Sequence, residues 1–190
     1  MNRRCYQVLL IVSVVAFSWL AMQVVHELGH VLHVYLSGGT VLKVVAHPAA
    51  ISRTDYTGSP SPRFVAWGGA IWGCLIPLAA LIVVRLTARR FDYLAAWFAG
   101  FCLICNGAYL AAGSLSPGLD DAGVILRYGG PRWPLILFGL VAVPAGLWLL
   151  SGLGPKFGFG PARGEVDRRA AIGAAIGLAV LVIVEVAFNW

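Results

Sequence analysis

Five apolar stretches divide this 190-residue chain, at about Tyr6–Leu36, Phe64–Val84, Tyr93–Leu115, Trp133–Leu153 and Ala170–Trp190, and the middle three carry no charged side chain. Each is near or above the roughly 20 residues that a helix needs to cross a hydrocarbon core. Backbone amides in that setting have no water to bond, so a spanning segment must satisfy them internally as a helix. Hydrophobic residues make up 59% of the chain and charged residues 12%, against roughly 45 to 50% apolar content in soluble domains. A soluble core of this size would not absorb the excess. The expected fold is an all-α integral membrane protein of about five transmembrane helices, in a single polytopic domain covering residues 1–190. The lipid bilayer is then a partner, and a multi-pass place in the cell membrane is the expected localisation.

The net charge of +6 comes from 14 Lys and Arg against 8 Asp and Glu. Basic residues flanking membrane spans explain a pI near 9.5 without any nucleic-acid partner. No glycine-rich phosphate loop is present, so no nucleotide is expected. Arg3 and Arg4 before an apolar run resemble the start of a signal peptide, but no small-residue cleavage site intervenes before His26, and the segment reads as a retained helix. Cys5, Cys74, Cys102 and Cys105 lie in or beside apolar segments and read as buried thiols, not as a disulfide framework. Alternating crossings put nine basic residues on the N-terminal side (Arg3, Arg4, Arg85, Arg89, Arg90, Lys156, Arg163, Arg168, Arg169) and five opposite (Lys43, Arg53, Arg63, Arg127, Arg132). That bias favours a cytoplasmic N-terminus.

Between the spans the texture changes. Gly38-Gly39 closes the first helix, and the β-branched run from Thr40 to about Tyr56, interrupted at Pro48, predicts a short membrane-associated β-hairpin ending in the Gly58 to Pro62 turn cluster. The domain thus reads as a helix over 1–36, an interfacial hairpin over 40–62, two helices leading to an aspartate segment over 64–123, and two further helices over 133–190. Gly154 to Arg169, rich in Gly, Pro and charge, is a solvent loop.

His26-Glu27-Leu28-Gly29-His30 lies near the far end of the first span. Residues four apart stand about one helical turn from each other, so both imidazoles can face one metal ion with Glu27 beside them. An acidic side chain in a span costs a few kcal/mol on insertion scales and by default marks function. Catalytic zinc keeps three protein ligands and one open position. Asp120 and Asp121, beyond the third span, are separated from His30 by two crossings and so return to the same membrane side. Either carboxylate could complete a His, His, Asp site.

Other polar residues read as structural. On an unbroken helix His33 stands about 10 Å along the axis from His26, too far to share a metal, and it reads as a satisfied or interfacial histidine. His47, beside Pro48, reads as interfacial, and Glu185 in the last span as snorkelling to water from near the helix end. Cys102 and Cys105 form a CxxC with no second pair, and the seven tryptophans read as packing and interface anchors.

With these residues the chain resembles, over roughly its first two-thirds, the site-2 protease family of intramembrane zinc metalloproteases. That family joins an HExxH on a transmembrane helix to a later Asn-x-x-Pro…Asp-Gly segment whose aspartate is the third ligand, with a membrane hairpin between them. Here His26 to His30, the hairpin, and Pro117…Asp121-Ala122-Gly123 occur in that order. Registering Asp121-Ala122-Gly123 on the family's Asp-Gly-Gly favours Asp121 as the ligand, with Asp120 as the alternative. Ser114 stands where the family has asparagine, the proline-to-aspartate spacing is about one residue short, and Ala122 replaces a glycine. Asn106 is out of register with the family asparagine and inherits no role.

The resemblance implies Zn2+ held by His26, His30 and Asp121, with Glu27 as the catalytic group that accepts a water's proton and returns it to the leaving amine. It implies peptide-bond hydrolysis in membrane-embedded or membrane-adjacent protein substrates, whose helices must unwind first and could then pair with the hairpin by edge addition. The family arrangement turns the catalytic end toward the cytosol, opposite to the charge bias. A noncatalytic zinc-binding membrane protein (a sensor, a transport component or an inactive protease homologue) is the alternative, and it would keep the ligands without needing Glu27.

Overall fold

A computed structural model describes residues 3–59, 61–116, 118 and 120–187. Five helices long and apolar enough to cross a membrane dominate it: α1 (Arg3–Leu36), α2 (Pro62–Thr87), α3 (Asp92–Leu115), α5 (Trp133–Leu150) and α6 (Arg168–Ala187). A short helix, α4 (Asp121–Arg127), separates α3 from α5. The sequence reading placed the five long helices and assigned no element to the aspartate segment, so α4 is an addition. Pro117 and Trp190 lie outside the described residues.

α1 ends where Gly38 adopts a φ of +78°, a left-handed conformation that glycine reaches without a Cβ penalty. The Gly39 N–H then bonds back to the Val34 carbonyl at 2.9 Å. The chain continues into an antiparallel hairpin of β1 (Thr40–Val45) and β2 (Arg53–Thr57), with Val44 opposite Thr54 and an irregularity between Val41 and Lys43.

One end of the bundle is tied by polar contacts. Arg3 pairs with Glu165, Arg90 bonds Asp167 at 2.7 Å, and the Arg168 guanidinium stands 5.2 Å from the centre of the Tyr6 ring. The Gln7 amide donates to the Phe157 carbonyl at 3.1 Å. These contacts gather the N-terminus, the α2–α3 turn and the loop before α6 at one end, as alternating crossings require. Leu10, Val14, Tyr93, Phe157, Ala170 and Ala171 bury together beneath them.

At the other end α1 and α2 approach backbone to backbone. A Cβ built on Gly29 would collide with the Gly68 carbonyl, and one on Gly68 would meet the Gly29 carbonyl and the His33 ring. Small residues at such crossings are what allow apolar helices to pack closely. α4 is held by Ala122 and Ile125, which bury against Ala66 and Ala70 of α2, Leu110 of α3 and Leu135 of α5. That packing fixes the first residue of α4, Asp121, over the end of α1 that carries the histidines. Glu185 is buried, with Oε2 unbonded among the described residues, where the sequence reading had it reaching outward to water.

Candidate metal centre

On α1, His26 and His30 face the same side one turn apart, with ring centroids 4.8 Å apart. Asp121 reaches them from the start of α4. His26 Nε2 is 3.1 Å from Asp121 Oδ2, His30 Nε2 is 3.3 Å from it, and the two Nε2 atoms are 3.1 Å apart. The three side chains form one group able to hold a metal ion.

The bonding of the far ring nitrogens explains why. His26 Nδ1 is 2.7 Å from Asn106 Oδ1, and the Asn106 amide nitrogen donates to the Cys102 carbonyl at 2.9 Å, which fixes Oδ1 as an acceptor. His30 Nδ1 donates to the Val65 carbonyl at 2.8 Å. With Nδ1 donating in both rings, each neutral imidazole presents a lone pair at Nε2. Two lone pairs and a carboxylate oxygen then converge, an arrangement that repels unless a cation lies among them. Ligands at about 2.0 to 2.1 Å in a tetrahedral site lie about 3.3 Å from one another, close to all three separations. α2 leaves room on this side because residue 69 is glycine: a Cβ there would collide with both Nε2 atoms.

Asp120 does different work. Its carboxylate accepts the Gly123 N–H at 2.7 Å and caps α4, leaving Asp121 as the aspartate beside the histidines. Glu27 is buried and lines the same cleft as the three side chains, and the Thr54 hydroxyl on β2 donates to its Oε2 at 2.7 Å. His33 is fully bonded, donating to the Phe64 carbonyl at 2.6 Å and accepting from the Trp72 indole at 3.1 Å, so it has no lone pair for a metal. His47 accepts the Ala49 N–H in the turn of the hairpin.

Two clefts meet at this group. One, of about 540 Å³, opens past Thr54, Tyr56, Asp120 and Asp121; the other, of about 520 Å³ and largely apolar, opens past Trp19, Met22, Ile51 and Cys105. His26, Glu27 and Tyr109 line both.

Thr54, Tyr109 and Gly69 are site neighbours that the sequence reading passed over, and Asn106 is one it named but gave no role. Asn106 carried a signal, since an amide in the middle of an uncharged span needs hydrogen-bond partners. Thr54 carried none beyond its place in the hairpin. No family model, no curated protein and no solved structure matches the chain.

Proposed function

We propose that the chain is an integral, multi-pass protein of the cell membrane that works as an intramembrane zinc metalloprotease of the site-2 type. The observation that carries this reading is the meeting of two Nε2 lone pairs and the Asp121 carboxylate at tetrahedral spacing, with a carboxylate on the same helix beside them and bonded to a strand. The outward apolar faces of α5 and α6, among them Leu140, Val141, Trp148, Ile176 and Ile183, favour a lipid surround.

Bound zinc supplies acidification of a water and polarisation of a peptide carbonyl. His26, His30 and Asp121 would hold the ion beside the two clefts. Asn106 and the Val65 carbonyl keep both imidazoles in the tautomer that ligates at Nε2. Glu27 takes the proton of the attacking water at Oε1, since Oε2 is engaged by Thr54, and later delivers it to the leaving amine. The second cleft is apolar enough to receive an unwound segment of a membrane helix, and β2 flanks the first as an extended neighbour for it.

The test is zinc content in detergent-purified protein, followed by cleavage of a single-span peptide. About one zinc per chain is expected, lost in His26→Ala and Asp121→Ala but retained in Asp120→Ala and Glu27→Gln, with Glu27→Gln losing cleavage. Absence of zinc from the wild type after resupply would overturn the metal site. One zinc without cleavage would leave the noncatalytic zinc-binding protein as the reading.

A further inference from the structure

Tyr109 stands on α3 three residues beyond Asn106, and its ring meets the His26 ring edge-on with centroids 5.7 Å apart. Its phenolic oxygen accepts the Asp121 backbone N–H at 3.2 Å, so the hydroxyl is tied to the backbone of the aspartate whose side chain joins the histidines. A phenol has one proton to donate and lone pairs to accept with. The Asp121 contact uses a lone pair, and the proton has no acceptor among the described residues. Tyr109 is 40% exposed and lines both clefts where they join.

Two neighbouring donors are engaged elsewhere: one N–H of the Asn106 amide donates to Cys102 and the Thr54 hydroxyl to Glu27, which leaves the Ser52 hydroxyl as the competing donor at both clefts. Glu27 and Asp121 are acceptors. An acyl-transfer site needs a donor aimed at the carbonyl oxygen that becomes negative when water adds. Resting on the protease reading, the geometry points to Tyr109 as that donor, making it a catalytic residue for peptide hydrolysis.

In the step, the water oxygen bonds to the scissile carbon, the carbonyl π pair moves onto its oxygen, and Glu27 takes the water's proton. Tyr109 hydrogen-bonds that oxygen without giving up its own proton. The pair then returns to reform the carbonyl, the carbon–nitrogen bond breaks, and Glu27 passes its proton to the nitrogen. The Tyr109 contact strengthens only as charge develops, so it acts on kcat more than on KM.

The experiment compares zinc-loaded wild type, Tyr109→Phe and Ser52→Ala, Ser52 being the other small hydroxyl lining both clefts. Three quantities are read: zinc content, kcat and KM on the single-span peptide, and the affinity ratio between a phosphinic peptide, which mimics the tetrahedral oxygens, and a peptidyl thiol, which does not. Tyr109→Phe is expected to keep its zinc and its KM, to lose about 10²- to 10³-fold in kcat, and to bind the phosphinic peptide more weakly while holding the thiol as before. Replacement of Tyr109 by a difluorotyrosine, read at a pH where the phenol stays protonated, keeps the ring and strengthens the donor, and is expected to tighten phosphinic binding. Unchanged phosphinic affinity in both Tyr109 variants overturns the assignment, as does loss of zinc together with equal weakening of both ligands, or a loss that follows Ser52→Ala instead. A wild type that neither cleaves nor binds the phosphinic peptide removes the protease reading itself, and the assignment falls with it.

Discussion

Asn106 on α3 accepts from His26 Nδ1 at 2.7 Å, from inside a span that is otherwise almost wholly apolar. The contact links the middle of one long helix to the ligand face of another, and the amide is held from its far side by the Cys102 carbonyl. A Cβ on Gly73 would strike the Asn106 amide, so α2 also shapes the pocket around it. Such a partner orients a ligating imidazole and raises its basicity.

Asn106→Leu therefore weakens zinc binding by about 10- to 100-fold, the usual cost of losing a partner behind a ligand. Competition against a chelator of known affinity measures it in detergent. Asn106→Gln, able to offer a carbonyl from a longer arm, recovers part of the loss. Zinc affinity equal to wild type in Asn106→Leu would show that His26 needs no orienting partner.

The Thr54 hydroxyl on Glu27 Oε2 predicts a different phenotype, because it touches no ligand atom. Thr54→Val keeps the shape and removes the donor. A hydrogen bond to a charged group is worth roughly 1.5 to 3 kcal/mol, so cleavage falls by about 10- to 100-fold while zinc content is unchanged. Thr54→Ser restores the donor and most of the activity. Loss of zinc in Thr54→Val would mean that the hairpin supports the metal group instead.

The long helices were legible because uncharged runs of span length have few alternatives, and the histidine spacing put both rings on one face before any coordinates. The choice of Asp121 over Asp120 came from the family resemblance and not from the residue pattern itself. It depends on where α4 begins, and a seven-residue helix with Asp120 as its cap leaves little periodicity to read. Asn106, Thr54 and Tyr109 reach the histidines or Glu27 only through contacts between elements far apart in sequence, 80 residues in the case of His26 and Asn106. Gly69 could be recognised only once α1 and α2 were packed, since its role is the space that a side chain would fill.

Gly69→Ala tests that space. The added methyl would collide with Nε2 of both histidines, atoms that cannot retreat without leaving the Asn106 and Val65 contacts. The variant is expected to lose most of its zinc and its cleavage. Gly173→Ala, where an added Cβ meets nothing within 4 Å, is the matched control and keeps both. Full zinc occupancy in Gly69→Ala would show that α2 can shift away at little cost.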